Sequence, residues 1–140
     1  MNSRQDTELQ QLYQQSRHQL SDLVFLDDEM KFMKSLIYKF FLPMIHDYHI
    51  NRVQLINSHL SQLNLVKANI TRDLLVHQGD LFSRTNGVLS KSVDFLRLIN
   101  ERLEAEVNDL NRSLKNIKRE LFAVYKELPF QTAQVYPAVS

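Results

Sequence analysis

Residues 93–128 read VDFLRLINERLEAEVNDLNRSLKNIKRELFAVYKEL, with apolar positions separated by three or four residues. The repeat consists of Val93, Leu96, Asn100, Leu103, Val107, Leu110, Leu114, Ile117, Leu121, Val124 and Leu128, with Asn100 as its one polar member. Such a heptad-like repeat over so many turns is typical of a long helix that packs one stripe against other helices. Ser90 or Ser92 is suited to cap the start of this helix, and Pro129 is suited to end it.

The two preceding segments keep the same spacing. In the first, the stripe consists of Leu9, Leu12, Ser16, Leu20, Leu23, Leu26, Met30, Met33, Ile37 and Phe40. In the second, it consists of His46, His49, Val53, Ile56, Leu60, Leu63, Lys67, Ile70, Leu74, His77 and Leu81. The alternation typical of a strand never extends beyond a few residues. The sequence therefore predicts three long helices.

Breaks in the pattern separate the helices. The heptad register slips at Pro43, a residue that favours the first turn of a helix. Gly79 and the Asn86-Gly87 pair bracket a polar stretch before the third helix. We predict an all-α, antiparallel up-down-up three-helix bundle of coiled-coil-like helices over residues 1–128. Its helices are expected at about 4–41, 44–82 and 89–128, and residues 129–140 are expected to form an extended C-terminal tail. If Pro43 only kinks the chain, an elongated molecule would need a second copy to complete its core.

Composition excludes several other classes of protein. The chain has 140 residues, enough for one domain, with two glycines and no cysteine. It therefore lacks the glycine clusters of dinucleotide and P-loop sites, and the thiols of disulfide scaffolds and thiolate metal centres. Lys plus Arg number 17 and Asp plus Glu 16, spread evenly along the sequence. We therefore expect neither a nucleic-acid nor a membrane partner, and, without an export signal or spanning segment, a cytoplasmic protein.

The positions of the breaks also predict how the helices align. A reversal at Pro43 pairs residues whose numbers sum to about 86, and a reversal near Thr85 pairs numbers that sum to about 170. Two aliphatic layers follow, one of Leu23, Leu63 and Val107, and one of Met30, Ile56 and Leu114. Ser16 and Asn100 fall into one layer, where we expect them to share a hydrogen bond. His77 falls beside Leu9 and Val93.

Apolar residues away from the stripe predict an interaction surface. Phe25 and Phe32 are seven residues apart on one outer face of the first helix, and Val24 and Leu36 widen the patch. Two phenylalanines on a helix surface are usually covered. The cover is expected to be the C-terminal tail, through Phe130, Val135, Tyr136 and Val139, or a second copy of the chain.

Candidate chemistry is sparse. His46 and His49 share a helix face and are the candidate metal ligands, but no third ligand converges on them unless it is Glu120. The acidic run at residues 27–29 fans around its helix and is expected to pair with Lys31 and Lys34 rather than to form a catalytic pair. A basic cluster of Arg112, Lys115, Lys118 and Arg119 is diluted by acidic neighbours. A nucleophile with a matched base is not identifiable.

These observations favour a non-enzymatic helical protein–protein interaction or self-association module without a cofactor. Its partner is expected to be another protein or a second copy, the latter giving a homodimer. The alternative is a metal- or small-ligand-binding bundle that uses His46 and His49.

Overall fold

The computed structural model describes residues 3–44, 47–88 and 91–128. Helix α1 (Ser3–Leu36) continues through a π-helical turn (Ile37–Phe41) and a final α-helical turn (Leu42–Met44). Helices α2 (Asp47–Thr85) and α3 (Val93–Glu127) follow, and each of the three packs against the other two. The predicted all-α three-helix bundle is confirmed. Residues 129–140, the expected tail, lie outside the described residues.

Pro43 lies at the end of the first helix rather than at the start of the second. Proline has no N–H to donate and its ring crowds the carbonyl one turn earlier, which normally ends a helix. Here the preceding turn widens, and the Leu42 N–H bonds to the Ile37 carbonyl, five residues back. The wider turn also rotates the apolar face, so that Phe41 is buried and Phe40 only partly buried. The expected stripe position at Phe40 is therefore wrong by one residue.

The chain reverses direction after Pro43 rather than at it, and this shifts the alignment of α1 with α2. Hydrogen bonds or ion pairs join Ser16 to Gln78, Asp27 to Lys67, Lys34 to Ser61 and Tyr38 to Asn57. The paired numbers add up to 94 or 95 rather than about 86. The layers expected from a reversal at Pro43 are thus displaced by about two helical turns. The antiparallel arrangement itself was predicted correctly, because a short connection allows little else.

The alignment of α2 with α3 was closer to expectation. His77 contacts Asn100 and Asp73 contacts Arg102, pairs whose numbers add up to 177 and 175 rather than about 170. Gly87, at a φ of 74°, forms part of the connection, since its left-handed conformation suits glycine. The Ser92 Oγ accepts a hydrogen bond from the Phe95 N–H at 3.1 Å and caps α3 as expected.

A polar layer divides the core into two apolar clusters. The larger one fills the end of the bundle where α1 reaches Phe41, and the smaller one contains Leu9, Leu12, Leu81, Val93 and Leu96. Ser16, Gln19, His77 and Asn100 are buried polar residues. Gln19 is buried where the stripe placed Leu20, which is only partly buried. Every expected stripe position of α3 is buried.

Candidate functional site

An open groove lies between α1 and α3 near the end of α1. Its volume is about 510 Å³. It is lined by Glu29, Phe32, Met33, Leu36, Phe40, Phe41, Lys118, Leu121, Phe122 and Tyr125. Phe32 is 64% exposed and Phe122 is 56% exposed, so the described residues leave the groove open to solvent.

Aromatic rings form both walls of this aromatic groove. The Phe40 ring packs edge-on against Phe41, with centroids 5.4 Å apart, and lies 6.2 Å from the Tyr125 ring. Tyr125 in turn stacks with Phe122 at 6.2 Å and an interplanar angle of 14°. These contacts hold the rings against each other, because aromatic pairs prefer offset-stacked and edge-to-face arrangements. The groove is therefore a surface already formed by packed side chains.

Charged groups at the edge of the aromatic groove already have partners. Lys118 Nζ donates a hydrogen bond to Glu29 Oε1 at 2.7 Å, and this ion pair joins α3 to α1. Lys126 Nζ lies 4.7 Å from the centre of the Phe122 ring, in a cation–π contact. An occupant of the groove consequently needs apolar side chains and no net charge where it makes contact.

The four residues of the predicted interaction surface do not share one site. Phe32 and Leu36 line the aromatic groove. Phe25 is 61% exposed and lines a neighbouring depression of about 260 Å³ with Leu26 and Val107. Val24 is exposed but lines neither of them. At about 100° of rotation per residue, Val24 and Phe25 point in different directions.

Sequence reasoning missed the α3 wall of the groove. Phe122 and Tyr125 lie off the buried stripe, and nothing local distinguishes Phe122 from other exposed apolar residues. A signal was present in the topology, because the first and third helices of an up-down-up bundle run parallel. The Glu8–Arg97 and Glu29–Lys118 pairs share one offset in residue number, which places Phe32 beside residues 121 and 122.

The polar layer in the core has a defined hydrogen-bond pattern around Asn100. The His77 Nε2–H donates to Asn100 Oδ1 at 3.2 Å, and Asn100 Nδ2 donates to Gln15 Oε1 at 2.6 Å. Gln19 Nε2 donates to the Asn100 carbonyl at 3.5 Å. The expected Ser16–Asn100 bond is wrong, because the true alignment brings His77 to Asn100. Ser16 instead donates to the Tyr13 carbonyl.

His77 makes folding sensitive to acid. Burial lowers the pKa of His77 from its ordinary value, and nearby Arg102 acts in the same direction, although Asn100 and Asp80 oppose the shift. A second ring proton would sit on Nδ1, which has no hydrogen-bond partner among the described residues. The folded state therefore favours the neutral form of His77. In mild acid, His77 binds fewer protons in the folded chain than in the unfolded chain.

We expect the free energy of unfolding to fall as the pH drops below about 6.5, where the unfolded histidine begins to bind a proton. The slope from this residue is at most about 1.4 kcal/mol per pH unit. Urea denaturation across this pH range measures it. His77→Gln is expected to reduce the slope, whereas Gln14→Ala, at an exposed position without a titratable group, is expected to keep it. An unchanged slope in His77→Gln would contradict this assignment.

The candidate metal ligands are not brought together with a third group in the part of the chain that the structure describes. His46 lies outside the described residues. His49 is buried, and its Nε2 lies 3.8 Å from Glu127 Oε1. The other oxygen of this carboxylate, Glu127 Oε2, accepts a hydrogen bond from Arg52 at 2.6 Å. Within residues 3–44, 47–88 and 91–128, no group of three or more His, Asp or Glu side chains is placed to hold a metal ion.

The acidic run at residues 27–29 lies on α1 and forms ion pairs with both neighbouring helices. Asp27 pairs with Lys31 at 2.9 Å and with Lys67 of α2, and these two hydrogen-bonded amines lower the pKa of Asp27. Glu29 points to α3 instead. The expected pairing with Lys34 is wrong, since the Lys34 amine contacts Ser61 at 3.4 Å. The run thus ties helices together and forms no facing carboxylate pair.

The basic cluster on α3 is partly neutralised. Arg112 pairs with Asp109 at 3.2 Å, and Lys118 pairs with Glu29. Arg119 donates to Asn116 at 3.2 Å.

None of the helices within the described ranges combines the length and apolar character needed to cross a membrane.

The fold and the site define a three-helix bundle with an open aromatic groove between its first and third helices. A scan against models of protein families finds no match, and neither a search of curated proteins nor one of solved structures finds a similar chain. The geometry of the bundle is therefore the basis for the functional argument.

Proposed function

We propose that the protein is a non-enzymatic helical module that associates with a second copy of itself through the aromatic groove. The supporting observation is the exposure of Phe32 and Phe122 on opposite walls of a formed apolar groove. Large aromatic residues are the side chains that most often dominate binding energy at protein interfaces. Exposed apolar patches rimmed by polar groups commonly mark such interfaces.

The arrangement of charge and shape favours a second copy over an unrelated partner. Glu29 and Lys118 place opposite charges side by side at the groove edge. In a twofold interface the same patch faces itself, so a patch whose opposite charges are already paired meets its own copy without repulsion between like charges. The face between α1 and α3 also combines two exposed rings, Phe25 and Phe32, with the two depressions that they line. Each copy thus offers both knobs and holes.

Sedimentation equilibrium tests this proposal. We expect the wild-type chain to have twice its monomer mass of 16.5 kDa at micromolar concentration. The double variant Phe32→Ser, Phe122→Ser is expected to weaken association by about 100-fold or more, because each aromatic hot spot contributes about 2 kcal/mol or more. The variant should sediment as a monomer at the same concentration.

A matched double variant controls for the loss of two exposed rings. Phe82 is 64% exposed, as is Phe32, and neither Phe82 nor Phe95 lines the aromatic groove. Phe82→Ser, Phe95→Ser is therefore expected to keep the wild-type mass. Circular dichroism should show the same helicity in all three proteins. A wild-type chain that remains monomeric at about 100 µM, where even weak pairs with Kd near 10 µM would associate, contradicts self-association.

A further inference from the structure

The end of the described chain lies beside the aromatic groove. Tyr125 and Phe122, about one and two turns before Leu128, line the groove. Leu128 is buried at this end of the bundle, and its N–H bonds to the Tyr125 carbonyl at 3.2 Å. Its φ of −76° and ψ of 133° are extended, so the backbone leaves the helical path there. Whatever follows Leu128 therefore starts next to an open apolar surface.

The next twelve residues have the chemistry that this surface requires. Residues 129–140 read PFQTAQVYPAVS and contain no Lys, Arg, Asp or Glu. They supply four larger apolar side chains, from Phe130, Val135, Tyr136 and Val139. Because the charges at the groove edge are already paired, an uncharged segment can fill it without leaving a buried charge unpaired.

The segment is also long enough. Twelve extended residues span roughly 40 Å at about 3.3 Å per residue. The α3 wall from Lys118 to Tyr125 spans about 10 Å and the α1 wall from Glu29 to Phe41 about 18 Å, at 1.5 Å per residue. Six extended residues would cover either wall, leaving the rest of the segment to connect the groove to α3.

The path favours the groove of another copy over the segment's own groove. The segment's own groove lies on the turns that precede Leu128, so entering it requires the chain to reverse direction. Pro129 is the only turn-favouring residue before Pro137, because residues 130–136 contain no Gly, Asn, Asp or Pro. A segment that continues away from α3 can reach a second copy without such a reversal. A reciprocal exchange of segments between two copies also closes the assembly with twofold symmetry.

We infer that residues 129–140 of each copy fill the aromatic groove of the other. This inference rests on the proposed self-association and names the part of the second copy that binds. The segment would pack its apolar side chains between Phe32 and Phe122 and cover rings that the described residues leave in solvent.

Photo-crosslinking in the full-length chain tests the exchange. Benzoylphenylalanine replaces Phe32, and this labelled chain is mixed with an equal amount of unlabelled chain grown in heavy nitrogen. After irradiation, mass spectrometry identifies the crosslinked peptides and shows whether they join two copies. We expect crosslinks between light and heavy chains that map to residues 129–140. The same label at Phe82, equally exposed but outside the groove, should not reach this segment.

A pair of tail variants gives an independent measurement. Phe130→Ser, Tyr136→Ser removes two rings from the segment and is expected to raise the dimer Kd by about 100-fold or more, as at other aromatic hot spots. Gln131→Ser, Gln134→Ser shortens two polar side chains of the same segment and is expected to leave the Kd within about twofold, since most interface residues contribute little.

The possible outcomes distinguish a failure of the segment exchange from a failure of self-association. A dimer whose Phe32 crosslinks join the two copies but avoid residues 129–140 overturns the segment exchange and leaves self-association intact. Crosslinks to residues 129–140 within a single chain also overturn the exchange. A monomer in sedimentation overturns both.

Discussion

Replacing Leu114 with alanine is expected to lower the free energy of unfolding by about 2–5 kcal/mol. Leu114 is 0% exposed and belongs to the larger apolar cluster of the core. Removing its side chain loses the transfer free energy of the buried carbons and leaves a cavity that helical neighbours can only partly close. The melting temperature should fall by roughly 4 °C for each kcal/mol in a domain of this size.

Leu98→Ala on the same helix is the matched control for this variant. Leu98 is 63% exposed, so the same substitution removes little buried surface. Both replacements change helix propensity equally, which isolates the effect of burial. We expect Leu98→Ala to remain within about 0.5 kcal/mol of the wild-type protein in urea denaturation. Equal losses in the two variants would contradict the burial of Leu114 in a packed core.

Replacing Asn100 with alanine is expected to lower the free energy of unfolding by about 2–4 kcal/mol, because two hydrogen bonds are lost and one of them leaves a buried group unpaired. That group is the His77 Nε2–H, which donates to Asn100 Oδ1. Gln15 loses its partner as well, but its exposed side chain can bond to water. The Gln19 bond goes to the main-chain carbonyl and survives the substitution.

A double-mutant cycle distinguishes a polar network from a simple cavity. Asn100→Leu alone leaves the His77 donor facing an apolar side chain, whereas Asn100→Leu with His77→Leu removes both partners. Replacing both members of a buried polar pair by apolar groups of similar size is often close to neutral. We therefore expect the double variant to be more stable than Asn100→Leu, with a coupling free energy of about 0.5–3 kcal/mol.

Urea denaturation of the four proteins in this cycle provides the measurement. Asn108→Ala is the control, since Asn108 is an exposed asparagine on the same helix. It is expected to change the free energy of unfolding by no more than about 0.5 kcal/mol. Additive effects of the two leucine substitutions would show that His77 and Asn100 do not act as a pair.

The sequence predicted several of the polar residues that lie in the core, but not which groups they contact. Ser16, His77 and Asn100 stand out in the sequence because they interrupt apolar stripes, and all three are buried. Their partners could not be predicted, because a partner depends on how far one helix slides along another. The α2–α3 pairs have residue numbers that add up to 175–177 rather than about 170, and this shift brings His77 beside Asn100. The first reversal lies about four residues beyond Pro43, which shifts α1 along α2 and leads Ser16 to contact Gln78.

The aromatic groove was also predicted only in part. Phe32 and Leu36 were predicted as part of a surface, since their positions on α1 follow from helical periodicity alone. The opposite wall, with Phe122 and Tyr125, belongs to a helix almost ninety residues later in the sequence. No local pattern connects the two walls. The rotation of the chain at the π-helical turn also brought Phe40 and Phe41 into positions that an uninterrupted α-helical repeat does not predict.

The sequence by itself determined that this protein is helical, that three long helices pack along apolar stripes, and that short connections make neighbouring helices antiparallel. These properties depend on the spacing of residues within one helix and on the length of the links, both of which are local. Tertiary structure decided the alignment of the helices, the hydrogen-bond partners in the polar layer and the existence of an aromatic groove. A heptad repeat matches itself again after each seven-residue shift, so similar apolar contacts form in several alignments. Only the combined geometry of the π-helical turn, the reversal and the polar contacts selects one of them.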